Sequence, residues 1–383
     1  MAITLRSVTG SALSHLQVDT NFSSLIYSAS QSGSSIAFHT TGSSTISKPP
    51  ASTTINVGLG LNTTATGQYS HAEGIGTTAS GPYSHAEGEA TSATAYGSHA
   101  EGVSTLAQGD SSHAEGDNSI AGGYASHAEG FNTSANGDWS HAEGNQTTAA
   151  GNYSHAEGSN TSANGNYSHA EGHITVSSGQ YSHAEGVTTT AAGNYSHAEG
   201  QGSIANGAYS HAEGFTTIAS GSHSHAEGNI AVSIGSWSHA EGYNTRASGS
   251  FSHAEGHTTH AKGTAAHAEG LITSASGDYS HAEGGGTITT TDYQHAQGLY
   301  NATSSIAAAF MHGNGSSHTS RSNLILAYND TVEITGSLKL KDILVLAPRT
   351  TTPTPTAGMV IVSGSGADQH IYCYLNSTWK QLD

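Results

Sequence analysis

Histidine and glutamate stand two residues apart at His71 and Glu73, and the pair returns every fourteen residues. It recurs at His85 and Glu87, His155 and Glu157, His197 and Glu199, His239 and Glu241, and at the coils between. Imidazole and carboxylate both ligate zinc or nickel, so such a stripe invites a metal array. The repetition argues against one. Metal centres are few and geometrically individual, whereas these pairs would be set at a fixed strand spacing whatever the ion preferred. The favoured reading is a ladder of hydrogen bonds and ion pairs between repeats, with no metal and no cofactor. Catalysis is disfavoured on similar grounds. A glycosidase needs two carboxylates set apart by environment in a cleft, and equivalent glutamates provide no unique pair. No Gly-x-Ser-x-Gly or Gly-x-x-x-x-Gly-Lys-Ser/Thr run marks a nucleophile elbow or a phosphate loop. The chain is therefore not expected to be an enzyme.

The elements that position these side chains follow from the period. From His71 to His295 seventeen histidines recur without an insertion or deletion, so every repeat must make the same closed circuit. With His as position 1, the consensus is His-Ala-Glu-Gly-x-x-Thr-x-Ala-x-Gly-x-Tyr-Ser. It spells two short strands per coil, separated by Gly-centred corners. Helix is excluded because two glycines per repeat would cost about 1 kcal/mol each relative to Ala. Strand alternation turns Tyr, His and Glu one way and Ser, Ala and Gly the other. The small residues must face inward, because a fourteen-residue circuit encloses a narrow interior.

Position 13 is aromatic in twelve of the seventeen repeats, including Tyr69, Trp139, Tyr153, Tyr195 and Trp237. An aromatic stripe beside a His/Glu stripe is too large a patch for a solvated face. It is expected to pack against sister chains around an axis, as an interface ladder. At a strand spacing of about 4.8 Å, the coils should stack to a length on the order of 80 Å.

Composition narrows the class further. Of 383 residues, 34% are hydrophobic and 10% charged, with 49 glycines, too little apolar bulk for large ordinary cores. Stacked repeats evade that limit by burying surface against their neighbours. The formal charge is -19, and only Arg246 and Lys262 lie as bases within the array, which excludes a nucleic-acid partner. The single Cys373 excludes an internal disulfide framework. No run approaches the roughly 20 apolar residues that span a bilayer. Neither a secretory signal nor membrane insertion is expected, which favours assembly in the cytoplasm.

One coil upstream of His71 the register falls on Asn56-Val57-Gly58-Leu59-Gly60, with Val57 in the His slot and Leu59 in the Glu slot. This resembles the Ser-Val-Ala-Ile-Gly repeat in the heads of trimeric autotransporter adhesins. The resemblance implies an all-β fold, a left-handed parallel β-roll of 14-residue coils assembled as a homotrimer. Leu5 to Leu13, continuing through Val18-Asp19-Thr20-Asn21-Phe22, is similar to the N-terminal attachment segment of phage tail-fibre proteins. Ser14 and Gln17 suit the capping box of a short N-terminal helix. After the array, Gly313-Asn314-Gly315, Ser320-Arg321-Ser322-Asn323 and Val332-Glu333-Ile334 resemble the neck that follows Ser-His-Ala-Glu-Gly arrays in phage tail proteins.

A Pro/Thr hinge, Arg349 to Pro355, precedes strands at Met359–Val362 and His370–Leu375, a turn at Asn376-Ser377, and a strand at Thr378–Leu382. The expected organisation is an attachment segment (1–55), a β-roll shaft (56–310), a neck (311–347), and the hinge with a small β tip (348–383). The resemblance implies a virion tail fibre held by a phage tail or baseplate protein through its N-terminus. A host cell-surface receptor or glycan would then meet the C-terminal tip, where Tyr372, Tyr374 and Trp379 are the candidate contacts. The rivals are a bacterial trimeric surface adhesin and a fibre-borne glycan hydrolase. An ice-binding reading of the Thr column is weaker, because Ser119, Ser203 and Ala231 interrupt that column.

Overall fold

The structure is a computed structural model that describes residues 45–46, 57–338, 360–363, 370–375 and 378–381. The described residues are all-β, without a helix. The chain divides into two units, with the boundary between 333 and 334. The expected capping box at Ser14 and Gln17 lies outside the described residues, as does the Pro/Thr hinge.

The first unit is a parallel β-solenoid. Each coil contributes one five-residue strand, such as His155–Ser159, and one two-residue strand, such as Ser162–Ala163. Each strand pairs in parallel with the same strand of the next coil, His to His, Ala to Ala and Glu to Glu. Val57 pairs with His71 and Leu59 with Glu73, which bears out the register read from the sequence. At the upstream end, Thr45–Ile46 pairs with Thr64–Ala65.

The interior is as narrow as the period demands. Ala156 and Ala163 are fully buried, Thr161 likewise, and Ser154 is 2% exposed. The Thr column therefore faces inward. Ser154 Oγ donates to the Gly151 carbonyl at 2.6 Å, tying the corner across three residues. Methyl and hydroxymethyl groups bury little apolar area per coil, so each coil depends on its neighbours for stability.

Two expectations are corrected. The corners do not centre on the glycines: the left-handed residues are those at positions 6 and 13, for example Asn160 (φ 57°) and Tyr153 (φ 58°). There the backbone turns while its N–H still reaches the preceding coil, Tyr153 N donating to Asp138 O and Asn160 N to Asn145 O. Position 13 is thus a corner, not a strand residue alternating with His and Glu. Position 4 is not inward either, since Gly158 is exposed. Glycine is required there for close approach: with φ at 105°, an added Cβ would stand 2.2 Å from the Gly172 carbonyl oxygen. At position 11, a Cβ on Gly151 would meet Gly165 O at 2.0 Å.

The ladder continues past 310. Phe310–Asn314 pairs in parallel with His295–Leu299, and Asn323–Tyr328 then pairs antiparallel with Phe310–Asn314. Larger side chains close this end. Gln294 replaces the small residue at position 14 and binds Thr290 N, Thr291 N, Ser304 O and Ile306 O. Asn301 bonds both the N–H and the carbonyl of Ile288, and Met311 is fully buried beside it.

The second unit holds an antiparallel sheet of Val360–Ser363, His370–Leu375 and Thr378–Gln381, close to the strands expected from the sequence. Cys373 is a buried free thiol.

Candidate functional site

Register alone aligns the histidines into a column. The rings of His155 and His169 stand 4.9 Å apart with planes 1° from parallel, and those of His169 and His183 stand 4.8 Å apart at 0°. Strand pairing sets this spacing.

Each Nε2 is aimed at carboxylates. His169 lies 3.9 Å from Glu157 of the preceding coil and 4.0 Å from Glu171 of its own. His71 and His85 lie 3.6 Å from Glu73 and Glu87, His155 lies 3.8 Å from Glu157, and His239 lies 4.0 Å from Glu241. His197 and His211 reach the glutamates one coil back, Glu185 at 3.7 Å and Glu199 at 3.5 Å. These are ion-pair distances rather than hydrogen bonds. Only at the end of the column does the contact close, His295 Nε2 to Glu283 Oε1 at 3.3 Å. The Nε2 atoms from His71 to His281 are sealed from solvent and have no hydrogen-bond partner. The expected ladder is therefore present as stacked rings and ion-pair contacts, with its hydrogen bonds unmade.

Electrostatics follows from the stacking. Burial, then the neighbouring imidazoles, holds His85, His99 and His141 below the ordinary histidine value. His113 and His267 shift the same way, for the same two reasons. The glutamates form a column of their own, register pairing Glu with Glu. A hydrogen bond with Glu101 pushes Glu87 up, while hydrogen bonds with Glu115 and Glu87 hold Glu101 down. Glu157, between Glu171 and Glu143, is raised. An open groove runs along this column, lined by Glu73, Glu87, Glu101 and the adjoining glycines.

The aromatic residues make a second column. Trp139 and Tyr153 stack at 4.8 Å, Tyr153 and Tyr167 at 4.8 Å, and Tyr181 and Tyr195 at 4.9 Å. Tyr69 stacks on Tyr83 at 5.1 Å. Trp237 stacks on His223, which fills the aromatic slot of its coil, at 3.8 Å. Sequence reasoning passed over His223, and also Tyr96 and Tyr124, which stand one residue early and meet Tyr83 and Trp139 edge-on. The signal was available: a small residue, Gly97 or Ala125, occupies the slot directly after each tyrosine. The column is outward, with Tyr153 45% and Trp237 55% exposed.

In the second unit Tyr374 pairs across the sheet with Trp379, and Tyr372 pairs with Gln381. Tyr374 is half-buried.

Three stretches, residues 100–126, 128–154 and 184–210, match the YadA head domain repeat. The coil architecture and these matches together are those of a β-roll head like that of trimeric autotransporter adhesins. No curated protein matches the chain.

Proposed function

We propose that this chain is a structural attachment subunit: a homotrimeric tail fibre of a bacteriophage virion, built in the host cytoplasm, whose solenoid is the shaft. The observation that carries the trimer is the pair of outward columns. An unbroken column of part-exposed His and Glu side chains, and a run of exposed stacked aromatics, are surfaces a sister chain would cover. The match to a head repeat of adhesins supports the same assembly. In this reading the His/Glu column faces the sister chains and the aromatic column flanks it. The work is mechanical and needs no catalytic group. Three chains carry three tips, so that weak contacts of Tyr372, Tyr374 and Trp379 with a host receptor or glycan add as avidity. The tail or baseplate grips the N-terminal segment.

The match to the YadA head domain repeat favours a second reading, a bacterial trimeric surface adhesin. Light scattering on the purified chain, with negative-stain imaging, tests the trimer. A mass near three chains on a thin particle is expected, and a folded monomer would remove the assembly. Gold-labelled antibody against the solenoid then separates the two readings, marking virion tails in one case and the bacterial envelope in the other.

A further inference from the structure

Each ladder glutamate stands between two imidazoles, that of its own coil and that of the next. The ligand atoms of His225, Glu227 and His239 lie within 4.8 Å of one another, as do those of His239, Glu241 and His253, and of His253, Glu255 and His267. The Nε2 atoms here are closed off from water and have no hydrogen-bond partner. Leaving such an atom uncompensated is destabilising. In the tautomer that leaves Nε2 unprotonated, its lone pair faces carboxylate oxygens, and a cation between them satisfies both. We infer that the His/Glu ladder binds divalent transition-metal ions of the zinc class, two imidazoles and one carboxylate per ion, with an ion in every second gap between coils.

The alternation follows from the chemistry of the ring. A neutral imidazole offers one lone pair through Nε2. His239 belongs to two triads and can ligate in only one. Its ring and that of His253 are parallel and 4.8 Å apart. In a tetrahedral site with Zn–N bonds of about 2.0–2.1 Å, the two nitrogens stand only about 3.4 Å apart. Each ring must therefore tilt toward its partner, and the tilt that closes one gap opens the next. Neighbouring gaps exclude each other, and ions fall about 10 Å apart, at twice the strand spacing. At that distance two double charges repel about half as strongly as at single spacing. Fixed strand spacing thus forbids an ion in every gap, but not in alternate gaps. A row of seventeen ladder histidines pairs into about eight sites per chain, each with a fourth position open to water or another ligand. Every triad is made within one chain, so the inference does not rest on the trimer.

Equilibrium dialysis of the full chain against zinc ion at neutral pH, with bound metal measured by elemental analysis, tests it. Saturation near eight zinc per chain is expected. Saturation near one per histidine, or no uptake at submillimolar zinc, overturns it. Two variants with equal numbers of histidines separate pairing from the general affinity of imidazole. Both use His→Val, since Val57 already occupies that slot. Replacing every second ladder histidine from His85 to His281 leaves nine, none adjacent to another. Replacing the consecutive eight from His71 to His169 also leaves nine, all neighbours. Uptake near zero in the first and near four in the second is expected, and equal uptake by the two overturns the pairing. Circular dichroism shows whether each variant keeps its strands. If either does not, the stoichiometry of the unaltered chain decides alone.

Discussion

The rings of His155 and His169 face each other at 4.9 Å, 1° from parallel. Two imidazoles in that arrangement are tolerable when neutral and repel when both are cationic. The column repeats this relationship along the solenoid, so the state of charge of one ring constrains the next.

Stability should accordingly fall in acid. Burial, and then the adjoining imidazoles, depress His85, His99, His113, His141 and His267 from the ordinary 6.5. A histidine depressed in the fold binds fewer protons folded than unfolded. Its stabilisation is complete above the unfolded value and is lost as pH drops through 6.5 toward the folded value. The melting temperature is expected to be level from pH 8 to 7 and to decline between pH 6.5 and 5. A curve flat across that range, or rising toward acid, would refute the argument.

Gly158→Ala should damage the stack at one joint. The new methyl would stand 2.2 Å from the Gly172 carbonyl oxygen at a φ of 105°, so backbone must move. A loss of about 2–4 kcal/mol is expected. In a nearest-neighbour structure it should appear as faster amide exchange in the two flanking coils, with distant coils unchanged.

Tyr167→Ala removes two stacking contacts, with Tyr153 at 4.8 Å and Tyr181 at 4.7 Å, and keeps a side chain at a left-handed residue. The cost should be roughly 1–3 kcal/mol by denaturant unfolding. Tyr167→Gly, which relieves the backbone at φ 58°, should recover part of it.

Gln294→Ala opens the C-terminal closure. The side chain serves Thr290, Thr291, Ser304 and Ile306 together, so four part-buried backbone groups lose a partner at once. Protease nicking near residues 301–309 is expected to accelerate several-fold, while cleavage in the middle of the array stays unchanged.

Most of the solenoid was legible because repetition makes one coil stand for all of them. Ala156 and Thr161 are buried because alternation leaves nowhere else for them to point. The corner residues were not legible. Glycine announces a left-handed turn, yet Tyr153 and Asn160 adopt it, because the ladder bonds to Asp138 and Asn145 fix their backbone from outside. Glycine marks instead the crowding between coils, which a single repeat cannot reveal. The ladder was read correctly as a column and incompletely as chemistry. Residue types foretold imidazole beside carboxylate, whereas the 3.4–4.0 Å separations that leave Nε2 unbonded depend on the strand spacing and the rotamers it permits.

Because His pairs with His and Ala with Ala through every joint from His71 to His295, each coil presents the same upper and lower surface. Whole repeats are therefore interchangeable parts. Recombination between neighbouring repeats in the gene could shorten or lengthen the stack by one layer, about 4.8 Å, without disturbing the segments on either side. The reach of such a protein would be inherited as a number of copies, and a lineage could tune it without inventing a single new contact.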